Sequence, residues 1–239
     1  MKLTDMTMEG FLKALSKTKT LVVPYGTVEA HGTHLPLSTD TLIMEEIVKK
    51  VAEEIPVIVA PPVHYGVCTS TGEHPGSIGI SCDTLRAITV DLVQDAYDRG
   101  LRNFILISGH GGGAHVAAMK EAGEELTKEL PDVVITALTV YELIPKEAYE
   151  LVETKNDSHA GEVETSLVLF LAEELVNGRA PEEYPNMPRP IIVKDKQKFW
   201  PGAVWGNPEK ATKEKGEKVF NMLVAEVVKL VKKVEEFKQ

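Results

Sequence analysis

Short apolar runs alternate along this chain with longer stretches in which apolar positions recur at helical spacing. Residues 20–24, 57–60, 103–108 and 133–138 are largely continuous in apolar character rather than alternating, the pattern of strands buried on both faces. Between and after them, the spacing predicts helices over 41–54, 83–99, 114–129, 161–176 and 209–237. Asp83 is placed to cap the second of these and Gly100 to end it. Strands and helices alternating at such lengths build βαβ units, so the expected fold is an α/β three-layer sandwich with a mostly parallel sheet and helices on both faces. In such sheets ligands sit beyond the carboxyl ends of the strands. The loops at 25–40, 61–81 and 109–113 each follow a predicted strand, and they hold the least ordinary residues of the chain. Residues 179–205 carry five of its prolines and read as an ordered loop or flap.

Composition narrows the function classes. With 239 residues and 43% apolar content the chain is long enough for one sizeable core, and residues 1–239 are read as a single domain. No run approaches the ~18 apolar residues of a membrane span, and residues 1–5 begin nothing like a signal peptide, so a cytoplasmic location is expected. A net charge of -10 argues against a nucleic-acid surface, because such a surface needs clustered Lys and Arg. Cys68 and Cys82 lack the spacing of a disulfide scaffold or a zinc site and are expected to be reduced and buried.

Three clusters bear on chemistry. Glu29 and His31, two residues apart, can point the same way from an extended segment, and Asp40 follows at a predicted helix start. These residue types ligate zinc, manganese and iron, although Asp40 could equally be a helix cap. Ser108-Gly109-His110-Gly111-Gly112-Gly113 joins a strand to a helix. Glycines there can cradle a phosphate, yet the run lacks the remaining residues of dinucleotide and P-loop motifs, and a His among them suits a metal. In the third cluster, 157–166, Glu162 and Glu164 enter a helix whose dipole would favour either one. His159 precedes that helix with no capping role, and a histidine titrating near neutrality beside a metal site would be a natural proton shuttle.

Together these motifs resemble the creatininase (creatinine amidohydrolase) family. The match runs through residues 24–40, His74-Pro75-Gly76-Ser77, Gly109-His110-Gly111-Gly112 and residues 159–166, and ends in segments around 206–217. The resemblance implies two divalent metal ions per subunit (Zn, Mn or Fe(II)), hydrolysis of a non-peptide amide, and a homo-oligomer, often a hexamer. Carried over by position, Glu29 and His110 would ligate one metal, His31 the other, and Asp40 both. His159 would be the catalytic histidine. Gly112 stands where creatininase itself has a ligating Glu, which leaves Glu164 as the candidate for that carboxylate. Expected substrate contacts are Ser70, His74, Ser77, Gly111 and Gly112, the two glycines offering N–H donors to an oxyanion. No tryptophan lies between Val140 and His159 to cover creatinine as in the true enzyme. Lys and Glu dominate the charged residues and Gln is scarce, which leans towards a heat-adapted source. With that lean the favoured reading is a formamide hydrolase acting on a pyrimidine nucleotide intermediate, with creatinine hydrolysis as the alternative. A non-catalytic phosphate-binding module and an inactive scaffold are the rivals of other classes. The expected partner is a small-molecule amide, with neither nucleic acid nor membrane.

Overall fold

The computed structural model describes residues 1–237. Four parallel strands, β1 (Thr20–Tyr25), β2 (Ile58–Val59), β3 (Asn103–Ser108) and β4 (Val134–Thr139), lie in the order β2-β1-β3-β4. Seven α-helices accompany them among the described residues: α1 (Met8–Leu15), α2 (Thr39–Glu54), α3 (Cys82–Asp98), α4 (Gly113–Glu129), α5 (Lys146–Tyr149), α6 (Glu162–Leu171) and α7 (Lys213–Glu236).

Side chains of a strand point alternately to its two faces, and here each face meets its own apolar layer. Leu21, Val23, Tyr25, Phe104 and Leu106 pack with α1, α3 and α4, while Val22, Ile105 and Ile107 pack with α2, α6 and α7. This is the expected sandwich. In α7, Val219, Phe220, Leu223, Val224, Val227, Val231 and Val234 form one buried stripe, which leaves the lysines and glutamates between them to solvent.

Several boundaries shift for identifiable reasons. The second strand shrinks to two residues at the sheet edge, where Pro56 precedes it and Pro61 and Pro62 follow with no N–H to offer a neighbour. Helix α3 is capped not by Asp83 but by Ser81, whose hydroxyl accepts from the Thr84 N–H at 3.1 Å. The helix expected over 161–176 stops at Leu171 and gives way to a 3₁₀ turn at Glu173–Leu175. The last helix begins only at Lys213, capped by Thr212, because Pro208 opens a separate 3₁₀ turn. Helix α1, unforeseen, is capped by the Thr7 hydroxyl. Both cysteines are free, as expected, but neither is buried: Cys68 is half-buried and Cys82 is exposed at the start of α3. Among the described residues no helix is long and apolar enough to cross a membrane.

For the site, the decisive feature is the pairing of β1 with β3, in register from Thr20 opposite Asn103 to Tyr25 opposite Ser108. Both central strands end at one level. The loops that leave them, which carry Glu29 and His110, therefore start side by side.

Candidate metal centre

The chain leaving β1 carries Glu29 and His31 before α2 begins, and Asp40 falls in the first turn of that helix. His110 is brought to Asp40 by a close backbone approach: a Cβ on Gly109 would collide with the Asp40 carbonyl, so only glycine fits. Glu164 lies in the first turn of α6. Asp157 anchors that turn, its two carboxylate oxygens accepting the N–H groups of Glu162 at 2.7 Å and Val163 at 2.9 Å.

The side chains converge from these separate elements. Nδ1 of His110 lies 2.8 Å from Glu29 Oε2 and 3.3 Å from Asp40 Oδ2. Nε2 of His31 lies 3.2 Å from Asp40 Oδ1 and 3.6 Å from Glu164 Oε2. Two trios result, Glu29–Asp40–His110 and His31–Asp40–Glu164, each with its donor atoms within 4.8 Å of one another. Asp40 belongs to both and presents a different oxygen to each histidine. A third grouping joins Glu29, His31 and His159. Neighbours hold the donors in place: the Thr71 hydroxyl donates to Glu29, Thr27 Oγ1 lies against both Glu29 and Asp40, and the Ala160 N–H donates to Glu164 at 2.6 Å. The His31 Nδ1–H donates to the Glu29 carbonyl at 3.0 Å, which leaves Nε2 facing the carboxylates.

Three buried carboxylates with only histidines as ion-pair partners among the described residues form an unusual charge arrangement. Burial opposes the charged form of every one of these groups, and the neighbours decide the outcome. For Glu29, burial pushes the pKa up but the hydrogen bond and charge of His110 bring it down to about 2. Asp40 is likewise held well below the usual range, by His31 and His110 against its burial. Burial would lower His31, yet Asp40, Glu164 and Glu29 raise it to about 10; His110 is raised well above its ordinary value by Asp40 and Glu29. Glu164, pushed up by burial and by Asp40, reaches about 7 despite His31. The pocket thus demands positive charge and draws protons onto its imidazoles to obtain it. Carboxylate and imidazole donors so placed fit divalent cations, which would supply that charge instead.

His159 behaves differently. Burial, then the charge of His31, lowers it to about 4, below the near-neutral value expected from sequence. Its Nε2–H donates to the Ala30 carbonyl at 2.9 Å, and its ring lies between those of His31 and Trp200, with centroids 4.2 and 5.3 Å away.

A cavity of about 810 Å³ opens over the centre and is lined by Glu29, Asp40, His110, His159 and Glu164. Of the expected substrate contacts, Ser70, Gly111 and Gly112 line the cavity, whereas His74 and Ser77 do not. His74 Nε2 bonds instead to the Trp200 carbonyl at 2.6 Å, and the Ser77 hydroxyl accepts the Ala30 N–H at 2.9 Å. Glu162 turns away from the centre, to Lys215 at 2.6 Å. The lining residues missed from sequence include Tyr141, Arg189, Trp200 and Trp205. Both tryptophans of the chain lie at the end of the Pro-rich segment, a concentration that could have marked it as the cover of the site.

A family model described as "Creatininase: Creatinine amidohydrolase" matches residues 4–231. The chain belongs to the creatininase family. Among its relatives is the mycofactocin precursor peptide peptidase of Mycolicibacterium smegmatis, 31% identical over 85% of this chain and 81% of that one. The peptidase of the same name from Mycobacterium tuberculosis is 29% identical over 90% of this chain and 86% of that one. The creatinine amidohydrolase of Pseudomonas putida is 26% identical over 91% and 89%. A crystal structure of creatinine amidohydrolase superposes with a TM-score of 0.86 at 23% identity, covering 99% of this chain and 98% of that one, which fixes the fold. Other creatininase structures are described as Zn-Zn and Mn forms. This creatininase-family chain is an amidohydrolase acting on C–N bonds, and its acid–imidazole clusters suit divalent metal binding.

Proposed function

We propose that the chain holds two divalent cations per subunit and uses them to hydrolyse the amide of a small substrate. Glu29 and His110 would hold one cation, His31 and Glu164 the other, and Asp40, which belongs to both groupings, would serve both. The observation that carries this reading is the division of Asp40, one oxygen towards each histidine. When bound, such a pair polarises the substrate carbonyl and makes water a stronger nucleophile near neutral pH. The protein's own groups do the rest. His159, with its Nε2–H committed to Ala30, offers Nδ1 to take up the proton of the attacking water and return it to the leaving nitrogen. The backbone N–H groups of Gly111 and Gly112, which line the cavity, are those proposed to serve the developing oxyanion. Trp200 and Trp205 give the cavity an apolar, aromatic wall.

The cavity is far roomier than a creatinine ring needs. It also includes Arg189, which has no ion-pair partner among the described residues and lies 6.0 Å from the Trp205 ring. Both features favour a substrate with an anionic portion remote from the amide, and hence the formamide of a pyrimidine nucleotide intermediate. A short peptide is the second reading, favoured by the peptidases at 29 and 31% identity. Protein reconstituted with Zn, Mn or Fe(II) should show two metals per chain by elemental analysis. It should then release formate from a formamidopyrimidine nucleotide faster than it cleaves short peptides or creatinine. Absence of metal uptake overturns the metal reading, and preference for peptides replaces the substrate. We further propose a homo-oligomer, as the family resemblance implies.

A further inference from the structure

His115 belongs to none of the ligand groupings, yet it is wholly buried beside them, its ring 5.1 Å from that of His110 and at 90° to it. The hydrogen bonds allow its ring one arrangement. A backbone N–H can only donate, so the Val67 N–H at 3.2 Å makes Nδ1 of His115 an acceptor. Its Nε2–H then donates to the Ser108 hydroxyl oxygen at 3.1 Å, and the same oxygen accepts the His110 backbone N–H at 2.9 Å. The second contact runs through the other polar group of Val67. Its carbonyl, able only to accept, lies 3.2 Å from Nε2 of His110, so that nitrogen carries a proton and Nδ1 is left to face Glu29 and Asp40. The backbone of Val67 therefore touches both rings. It is held close because the preceding residue is Gly66, where a Cβ would come within 2.5 Å of the His115 ring.

We propose that His115 is a positioning residue for the ligand His110: by fixing Val67 and Ser108 it makes His110 present Nδ1, and not Nε2, to the metal. The inference rests on the metal reading above. Without His115 the Val67 N–H loses its buried acceptor and the loop is free to shift, taking with it the carbonyl that orients His110. Partners of this kind, hydrogen-bonded behind a ligating imidazole, change metal affinity by about 10- to 100-fold when removed.

The test measures Zn²⁺ affinity by competition with a chromophoric chelator, and the visible absorption of the Co²⁺ form, on folded full-length protein. His115→Leu and Ser108→Ala should each weaken Zn²⁺ binding by about 10- to 100-fold and alter the Co²⁺ spectrum. Because both act through one chain of contacts, the double variant should be little weaker than the worse single one. His115→Gln, which keeps an acceptor and a donor, should recover part of the loss; filling space alone would not distinguish it from Leu. Wild-type affinity and spectrum in His115→Leu, or fully additive losses in the double variant, overturn the proposal. If His115→Leu does not fold, Ser108→Ala, which removes one atom, decides the matter in the same way. Failure of the wild-type protein to take up metal would instead bring down the metal reading itself.

Discussion

At the scale of single residues, Asp40 is the shared element. Between the trios Glu29–Asp40–His110 and His31–Asp40–Glu164 it is the shared member, with one oxygen towards each histidine. Asp40→Ala should therefore lose both metals, and Glu29→Gln mainly one, in elemental analysis of reconstituted protein. Equal retention by the two variants would break the bridging assignment. His159 tests a different property, proton transfer without metal binding. His159→Ala should remain folded and metal-loaded while its rate falls by ~10²–10⁴-fold, the usual loss of a positioned acid–base group. The third grouping, Glu29–His31–His159, makes the metal content of this variant informative: a lost metal would turn His159 into a ligand.

At the scale of elements, α6 matters most because its first turn carries two glutamates with opposite duties. Glu164 faces His31, while Glu162 accepts from the Thr154 N–H and hydroxyl at 2.7 and 2.6 Å and meets Lys215 of α7 at 2.6 Å. Glu162→Gln should thus keep its metal and lose stability, on the order of 1.5–3 kcal/mol for hydrogen bonds to a buried charge. Glu164→Gln should do the reverse. Burial raises the Glu162 pKa, but Lys215 and Thr154 lower it overall, below the ordinary 4.5. A depressed folded pKa contributes stability above the unfolded value that is lost as pH falls through the folded one. The difference in melting temperature between wild type and Glu162→Gln should accordingly be full near neutrality and close below about pH 4.5. A gap that stays constant across that range would show that the charge of Glu162 is not what ties α6 to α7.

At the scale of the whole molecule, the sheet brings its central strands to one edge, and the flap over that edge leaves Ile191 and Ile192 exposed at 68% and 92%. Adjacent exposed isoleucines suit contact with another copy, in line with the proposed oligomer. Light scattering coupled to gel filtration should give a mass that is a multiple of the 26.2 kDa chain, six-fold for a hexamer. A single-chain mass at micromolar concentration would remove the oligomer from the proposal.

The sequence alone carried the three-layer sandwich and most of the residues around the centre. Largely continuous apolar runs mark strands buried on two faces, and the motif residues cluster in loops that such strands must end in. Glu29, His31 and Asp40 lie within twelve residues of one another and could be seen as a group. Only the fold could join them to His110 and Glu164, because that meeting depends on the register of β1 with β3 and on the Asp157 anchor of α6. Only the fold, too, could bring Trp200, Trp205 and Arg189 over the cavity from a segment whose prolines announce no regular element. Likewise, only the fold turns Glu164 towards His31 and Glu162 towards Lys215. The pattern of apolar positions is set locally by the period of helix or strand, whereas the partner of each polar side chain is set by which distant element packs beside it.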